Sequence, residues 1–231
     1  MSLFGEIVEA TGLDRIGEFS YTRTNPNIIQ AFIERWHPET NSFHMPFGEM
    51  TITLDDVWCL LGLDITRRGV LSQRVEEGMC TYICLNIVVL TTKLNNPYSI
   101  AGRYNSEEVA ELMDVEEDMV LIDFGMGQSF KMDWLRSMFE PGSAVEDPEE
   151  VARCARVYLL YVFGCSLFSD KSGNRVPASW LEFLRDLGQV RSYAWGAAVL
   201  AYLYRQLGSA SIYKTRQCGG YMTLLEVRWF S

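Results

Sequence analysis

Apolar residues recur at helical spacing from the early part of the chain, just after Asn25-Pro26. Asn is favoured before the first turn of a helix, and Pro fits that turn because its missing N–H would have no helical partner there. The residues that fall on one face are Ile29, Phe32, Ile33 and Trp36. The pattern predicts an amphipathic helix that ends at His37-Pro38.

The next segment has a shorter period. Residues 42–52 are typical of two short extended pieces around a Pro-Phe-Gly-Glu turn, in which Pro sets the backbone angle and Gly can adopt positive φ. Thr53 stands three residues before Asp56 and ahead of an apolar run, which is the spacing of a capping box, and Gly62 is placed to end the helix. A β-hairpin that leads into a short helix is therefore predicted.

Helical spacing returns over most of the remaining chain. The predicted helices cover residues 105–113, 131–139, 147–168, 178–187 and 193–207, and a last apolar segment follows Gly219-Gly220. The helix at Asp147 has the strongest start, because Asp can cap it, Pro fits its first turn, and two acids lie at the positive end of the helix dipole. Gly208 is placed to stop the helix over 193–207.

Two stretches are less regular. Residues 79–90 are apolar on nearly every side, and a buried helix is favoured over a strand. Residues 169–177, SDKSGNRVP, have the composition of a turn-rich connection. Since the chain shows no internal repeat or long linker, we predict a mostly α protein, a single multi-helical domain with a small β-hairpin near residues 42–52.

Composition supports a folded core. Of the 231 residues 48% are hydrophobic, and no apolar run reaches the roughly 18 residues that a membrane span needs. The N-terminus lacks a basic region followed by an apolar stretch, so no secretory signal is visible. We therefore expect a soluble intracellular protein.

The six cysteines lie scattered in apolar segments without paired CxxC spacing, as reduced, buried thiols do. Cys80 and Cys84 could share a helix face, and only His37 and His44 are present to join them as nitrogen ligands of zinc. No second close cysteine pair exists. Buried thiols are the favoured interpretation, and neither a metal nor a cofactor is predicted.

Charge is distributed unevenly along the chain, whose net charge is −10. Residues 1–150 carry 26 acidic and 10 basic side chains, whereas residues 151–231 carry 4 acidic and 10 basic ones. The first part would repel nucleic acid and the second part would tolerate it. The acidic run over residues 107–118 is most simply a solvated helix face, and an acidic interaction surface is the alternative.

Catalytic chemistry has few candidates. His44 lies across the predicted turn from Glu49, so a contact between imidazole and carboxylate is feasible, but no nucleophile stands at a fixed spacing. Gly125-Met126-Gly127 is half of a dinucleotide fingerprint without its third glycine. The four lysines lie in polar or turn contexts without a phosphate cradle. We predict that the protein is not an enzyme.

A DNA-reading helix-turn-helix is another alternative, because TLDDVWCLLGLDI has the form of a first helix and turn. The following TRRGVLSQRVEE should then form the recognition helix. Gly69 interrupts that helix early, and Glu76 and Glu77 place acids where DNA phosphates would lie.

The C-terminal part also mixes arginines with aromatic residues, a combination that can stack on bases or form a protein-binding hot spot. At helical spacing the aromatic residues are more often core, and the arginines solvated or paired. The candidate interaction surface consists of Arg153, Arg156, Arg175, Arg185, Arg191 and Arg205.

A long tract carries a family resemblance. Residues 33–65, IERWHPETNSFHMPFGEMTITLDDVWCLLGLDI, resemble the signature of the plant mobile domain family, which includes the MAIN and MAIN-like proteins. ARVYLLYVFGCSLFSDKSGNRVPASWLEFLRDL and SYAWGAAVLAYLYRQLGSAS resemble the second and third blocks of that family. We assign residues 12–231 to the domain and residues 1–11 to an N-terminal extension. The family domain usually continues beyond a helix like the last one, so we expect a copy truncated at its C-terminal end.

The resemblance implies a non-enzymatic nuclear protein that acts through protein interactions in meristem maintenance, genome stability, transposable-element silencing and control of gene expression. The expected partners are long-form Ser/Thr phosphatase-like proteins or other mobile-domain proteins. The family is often described as aminotransferase-like, but the lysines and glycines do not support transaminase chemistry, and the family offers no catalytic residues to carry over. The alternative is a DNA-binding remnant of a transposon-derived protein that uses the basic C-terminal part.

Overall fold

The structure is a computed structural model, and most of it is helical. It describes residues 2–16, 25–70, 106–113, 115–118, 120, 129–138, 147–169, 174–213 and 218–230. The helices are α1 (Leu3–Thr11), α2 (Pro26–Arg35), α3 (Leu54–Leu61), α4 (Ser106–Met113), α5 (Met132–Met138), α6 (Pro148–Val162), α7 (Leu181–Leu184), α8 (Trp195–Tyr213) and α9 (Thr223–Phe230). The prediction of a mostly α fold is confirmed, and the predicted helix over 79–90 lies outside the described residues.

Two small antiparallel sheets accompany the helices. The strands of the first sheet, in spatial order, are β1 (Trp36–His37), β2 (Ser42–Met45) and β3 (Gly48–Met50). The second sheet pairs β4 (Ser129–Lys131) with β5 (Arg175–Pro177). The predicted hairpin is β2 and β3, and it is confirmed. The prediction of a turn-rich connection is wrong for β5, because Val176 pairs with Phe130, a residue far away along the chain.

Local start signals determine the helices on either side of the hairpin. The Asn25 side chain accepts a hydrogen bond from the Asn27 N–H, which caps α2. The capping box of α3 is complete: the Thr53 hydroxyl accepts from the Asp56 N–H, and the Asp56 carboxylate accepts from the Thr53 N–H at 2.8 Å. Gly62 ends α3 in the left-handed conformation, with φ of 67°. These three predicted boundaries are confirmed, but the predicted end of the first helix at His37-Pro38 is wrong: α2 ends at Arg35, because Trp36 pairs with Phe43 in the first sheet.

Three boundaries of the C-terminal helices differ from the prediction. Helix α8 continues past Gly208 to Tyr213, because Ala210 in the following turn is fully buried in the core. The predicted helix over 178–187 is divided, since the Asp186 side chain accepts from the Gly188 N–H and so starts a separate 3₁₀ turn, Leu187–Ser192. Helix α6 ends at Val162 and continues as a π-helical turn, Phe163–Leu167.

The core joins both ends of the chain. Helix α8 packs against α2, α3 and β1, and α1 packs against α6 and the 3₁₀ turn Leu187–Ser192. The Trp36 ring lies 4.8 Å from the Phe43 ring and 5.1 Å from the Tyr204 ring, measured between ring centroids. A second aromatic group consists of Phe163, Phe168, Trp180, Phe183, Tyr193, Trp195 and Tyr202. The aromatic residues of the C-terminal part are therefore mostly core.

Candidate functional site

The register of the first sheet separates its two faces. Trp36 pairs with Phe43, and both side chains are buried against α2 and α8. Side chains alternate across a strand, so His37 and His44 lie on the opposite face, and both are exposed. The first sheet therefore presents the two histidines of the chain to solvent, His37 from β1 and His44 from β2.

His44 and Glu49, the catalytic candidates, are directly paired across the hairpin. The Glu49 carboxylate accepts a hydrogen bond from the Ser42 hydroxyl at 3.1 Å, and that hydroxyl lies 2.6 Å from the Thr40 hydroxyl. The His44 imidazole instead contacts the His37 ring, with 5.7 Å between ring centroids. Both candidates are exposed to solvent.

Helix α3, which follows this hairpin, has one face buried in the core and one face exposed to solvent. Val57 and Leu61 are buried, whereas Asp55, Trp58 and Cys59 are exposed. The Trp58 side chain is 58% exposed, although a tryptophan in the middle of a helix usually packs into the core. Trp58 is not among the site residues predicted from sequence, and its place beside the inward positions Val57 and Leu61 is the signal that could have identified it.

A second aromatic side chain is even more exposed. Phe47 occupies the turn between β2 and β3, and it is 73% exposed. Glycine follows it with φ of 130°, a conformation that brings the chain back into β3 at Gly48. The Phe47 side chain therefore points into solvent from a turn whose backbone conformation depends on Gly48.

The loop after α3 is attached to the C-terminal part. Arg68 forms a parallel bridge with Tyr193, donating its backbone N–H to the Ser192 carbonyl at 3.1 Å. Its carbonyl accepts from the Ala194 N–H at 2.7 Å. A helix-turn-helix has a turn of about three to four residues, so the recognition helix would begin near Thr66. Residues 66–70 are not helical, and residues 71–77 lie outside the described ranges.

Asp64 organises the same loop. Its carboxylate accepts from the Thr66 N–H at 3.0 Å and pairs with the Arg67 guanidinium. Partial burial alone would raise the pKa of this carboxyl, but the Thr66 N–H and the Arg67 charge together lower the pKa below its ordinary value. Arg67 is therefore part of the loop structure.

Two of the six candidate arginines form hydrogen bonds that join elements of the fold. Arg156 on α6 donates to the Leu184 carbonyl at 3.0 Å, which joins α6 to the end of α7. Arg175 on β5 donates to the Ser129 hydroxyl at 2.8 Å, which joins the two strands of the second sheet. Both side chains are half-buried. Their guanidinium groups are hydrogen-bonded inside the protein.

The other four arginines occupy different surroundings. Arg153 lies 3.3 Å from the Glu150 carboxylate, and the guanidinium carbon of Arg205 lies 5.4 Å from the centre of the Tyr202 ring. Arg185 and Arg191 are exposed. The structure brings Arg156 and Arg185 together, since Arg156 also reaches the Arg185 carbonyl at 3.5 Å. The role of the six arginines as an interaction surface stays a prediction.

The metal and thiol predictions have separate outcomes. Cys80 and Cys84 lie outside the described residues, as do the glycines at 125 and 127. Within the described ranges, no group of three or more His, Cys, Asp or Glu side chains is arranged to hold a metal ion. The described cysteines form no disulfide with one another, and Cys59 and Cys165 are exposed, so the prediction of buried thiols is wrong for these two. In the same part of the chain, no helix is long and apolar enough to cross a membrane.

The chain is similar to known proteins of a plant. A family model described as "Plant mobile domain" matches residues 12–231. Protein MAIN-LIKE 2 of Arabidopsis thaliana is 33% identical over 221 residues, which cover 96% of this chain and 29% of that protein. Protein MAINTENANCE OF MERISTEMS of the same plant is 30% identical over 220 residues, which cover 95% of this chain and 40% of that protein.

A third Arabidopsis thaliana protein extends the comparison. Its name is "Serine/threonine-protein phosphatase 7 long form homolog", and it is 32% identical over 222 residues, which cover 94% of this chain and 14% of that protein. No solved structure matches the chain. The chain therefore spans less than half the length of these relatives.

Proposed function

Because the chain belongs to the plant mobile domain family, we propose that it is a protein-interaction module and not an enzyme. The observation that carries the proposal is the exposed indole of Trp58 in the middle of α3. Tryptophan is enriched among the residues that dominate binding energy at protein interfaces, where its large apolar area becomes buried. Phe47, on the turn before α3, offers a second exposed aromatic anchor.

Charge supports a protein partner for the N-terminal part. Residues 1–150 have a large acidic excess, and Asp55 lies one helical turn before Trp58 on the exposed side of α3. Acidic groups beside an exposed aromatic ring favour a partner with basic side chains, which could pair with the carboxylate and stack on the ring. The same charge disfavours nucleic acid at this surface.

The proposed cellular role starts from the names of the relatives. One relative is named for the maintenance of meristems, and that name supports a role in meristem maintenance. We further propose that the protein acts in the nucleus, in control of gene expression, transposable-element silencing and genome stability. We propose a long-form Ser/Thr phosphatase-like protein as one partner class, because the chain is similar to part of a relative that is named as a phosphatase long form homolog. Another mobile-domain protein is the second partner class.

Affinity purification from plant nuclear extract tests this function. The full chain should recover phosphatase-like, mobile-domain or chromatin proteins, and Trp58→Ala should reduce their recovery at least about tenfold, as expected when a hot-spot residue is truncated. Glu34→Gln is the control, because Glu34 is an exposed acid on a different helix, α2, and this variant should recover the partners like the wild type. Absence of all three partner classes from the wild-type sample would contradict the proposal.

DNA binding is the second candidate function, and the exposure of Arg185 and Arg191 in the basic C-terminal part favours it. A gel shift with duplex DNA at low salt tests it, since phosphate contacts weaken steeply as salt rises. DNA binding would appear as a salt-sensitive shift that the double variant Arg185→Ala, Arg191→Ala weakens. No shift at low salt would exclude this function.

A further inference from the structure

The two histidines of the chain form an adjacent pair on the outer face of the first sheet. His37 pairs with Ser42, and His44 stands two residues further along β2, so both side chains leave the sheet on the same side. Their ring centroids are 5.7 Å apart, with an angle of 62° between the rings. Both residues are exposed, so a ligand can approach them from solvent.

This spacing is close to that of two imidazoles bound to one metal ion. A metal–nitrogen bond of about 2.0–2.1 Å puts the ion roughly 3.2 Å from each ring centroid. Bond angles of about 90–110° at the ion then place the two centroids roughly 4.5–5.2 Å apart. The observed 5.7 Å is slightly longer. Small rotations of two exposed side chains would close the difference at little cost, because no core packing holds them.

We propose that His37 and His44 form a surface site for a divalent late transition metal ion, namely Cu²⁺, Ni²⁺ or Zn²⁺. Imidazole nitrogen is a preferred ligand of these three ions, whereas Mg²⁺ and Ca²⁺ prefer oxygen. The pair supplies two ligands and water supplies the others, consistent with the absence of any three-residue metal group in the described part of the chain. Glu49, across from His44, is engaged by the Ser42 hydroxyl.

The backbone makes this pair a preformed site. His37 and His44 are on neighbouring, hydrogen-bonded strands, and the other face of those strands is held by the buried rings of Trp36 and Phe43. The distance between the two Cα atoms is therefore fixed before any ion binds, so binding orders only the two side chains. The site is independent of the proposed interaction function.

Isothermal titration calorimetry tests the site. The untagged full chain is titrated with NiCl₂ or ZnCl₂ in a non-coordinating buffer near pH 7.5. We expect one ion per chain at this site, and His37→Ala and His44→Ala should each weaken its binding roughly tenfold or more through loss of a ligand. MgCl₂ should not bind there. Bound Cu²⁺ should show nitrogen hyperfine coupling in its electron paramagnetic resonance spectrum, and each alanine variant should reduce that coupling.

Cys59→Ser is the matched control, because Cys59 is an exposed thiol and the obvious competing ligand. This variant should bind Ni²⁺ and Zn²⁺ like the wild type. Far-UV circular dichroism should show all variants folded, since the two histidine side chains are exposed. Equal affinity in the wild type and both histidine variants would overturn the proposal, as would no detectable binding by the wild type up to about 1 mM ion.

Discussion

Gly196, at the start of α8, lies against the loop that follows α3. Its N–H donates to the Asp64 carbonyl at 3.0 Å. A Cβ atom at Gly196 would lie 2.8 Å from the Ile65 methyl Cγ2 and 3.1 Å from the Leu63 carbonyl oxygen. The second contact is with backbone, which cannot rotate away as a side chain can. This position is therefore closed to any side chain unless α8 moves away from the loop.

Gly196→Ala should lower the free energy of unfolding by roughly 2 kcal/mol, the typical cost of overpacking, and urea unfolding would measure it. Gly208→Ala is the matched control on the same helix. A Cβ atom there would meet Trp36 Nε1 at 3.8 Å and Pro38 Cβ at 3.9 Å, which are ordinary contacts. Alanine also favours the helix, so this variant should be neutral or up to about 1 kcal/mol more stable. Equal destabilisation by both variants would contradict this account.

Tyr204 connects α8 to the end of the hairpin through its phenol group. The hydroxyl lies 2.7 Å from the Thr51 hydroxyl and donates to the Ile52 carbonyl. Burial raises the pKa of the Tyr204 phenol above its ordinary value; the Thr51 hydrogen bond opposes the shift, and the nearby Asp56 charge adds to it. Tyr204→Phe should cost about 1 to 3 kcal/mol near pH 7, because the buried Ile52 carbonyl loses its donor.

The same phenol makes stability depend on alkaline pH. A raised pKa in the folded state means that the unfolded chain ionises first, so the contribution of Tyr204 is complete below about pH 10 and decreases as the pH rises towards the folded pKa. Urea unfolding near pH 7 and near pH 10.5 should therefore show a smaller alkaline loss for Tyr204→Phe than for the wild type. Part of the loss should remain, since burial also raises the pKa of Tyr221. An unchanged alkaline loss would contradict the role of Tyr204.

At the scale of the element, the two N-caps that the sequence suggested most clearly differ in the structure. Thr53 caps α3 with its side chain, whereas Asp147 occupies the N-cap position of α6 without a side-chain capping hydrogen bond. Thr53→Ala should thus lower stability by about 1 kcal/mol, while Asp147→Ala should cost only a few tenths of that through the helix dipole. Thermal unfolding of the two variants would compare them. A larger cost at Asp147 than at Thr53 would contradict the assignment of the side-chain cap to Thr53 alone.

Helix α1 lies before the residues that match the family model, yet it contributes to the core. Val8 is 5% exposed, and the Phe4 ring makes an edge contact with the Tyr158 ring of α6 at 5.6 Å. Val8→Ala should cost about 2 kcal/mol in urea unfolding, because it removes two buried methyl groups. Glu9→Ala, the neighbouring exposed position, should change stability by less than about 0.5 kcal/mol. A neutral Val8→Ala would indicate a helix that does not stabilise the domain.

The elements that sequence predicted correctly depend on local interactions. Asn25, Thr53 and Gly62 each act within about four residues of their own position, so their neighbours in sequence contain the whole cause. Strand β5 depends instead on Phe130, which is distant along the chain, and no local pattern reports such pairing. Gly208 has a local stop pattern that the core overrides, since Ala210 in the next turn of α8 is fully buried.

The candidate site was predictable to a smaller extent. Sequence placed His44 and Glu49 across one turn, and the register agrees. It did not place His37 beside His44, because that neighbour comes from β1, a strand that the pattern assigned to the end of a helix. It also could not separate Arg156 from Arg185, since the carbonyl groups that Arg156 binds become available only where α7 ends beside α6. Arg185 is exposed and Arg156 is half-buried because of how α6 packs against α7, which no local sequence pattern reports.

At the scale of the whole molecule, the acidic N-terminal part and the basic C-terminal part share one core. The Trp36 and Tyr204 rings are in contact, and backbone hydrogen bonds join the loop after α3 to Ser192, Ala194 and Gly196. Neither part buries these groups alone. If residues 36–52 separated from α8, the Trp36 ring and the Ile52 carbonyl would both lose their contacts with Tyr204. We therefore expect the two parts to unfold together, with one free energy of unfolding.

Hydrogen exchange read by mass spectrometry along a urea series tests this coupling. Peptides from residues 36–52 and 195–213 should lose protection at the same urea concentration, because their contacts form one cooperative unit. Gly196→Ala, which acts between α8 and the loop after α3, should move both transitions to lower urea by the same amount. If the hairpin peptides opened at lower urea while α8 stayed protected, the two parts would be separate folding units. Coincident transitions are expected because the aromatic contact and the backbone bonds occur together at the start and the middle of the same helix.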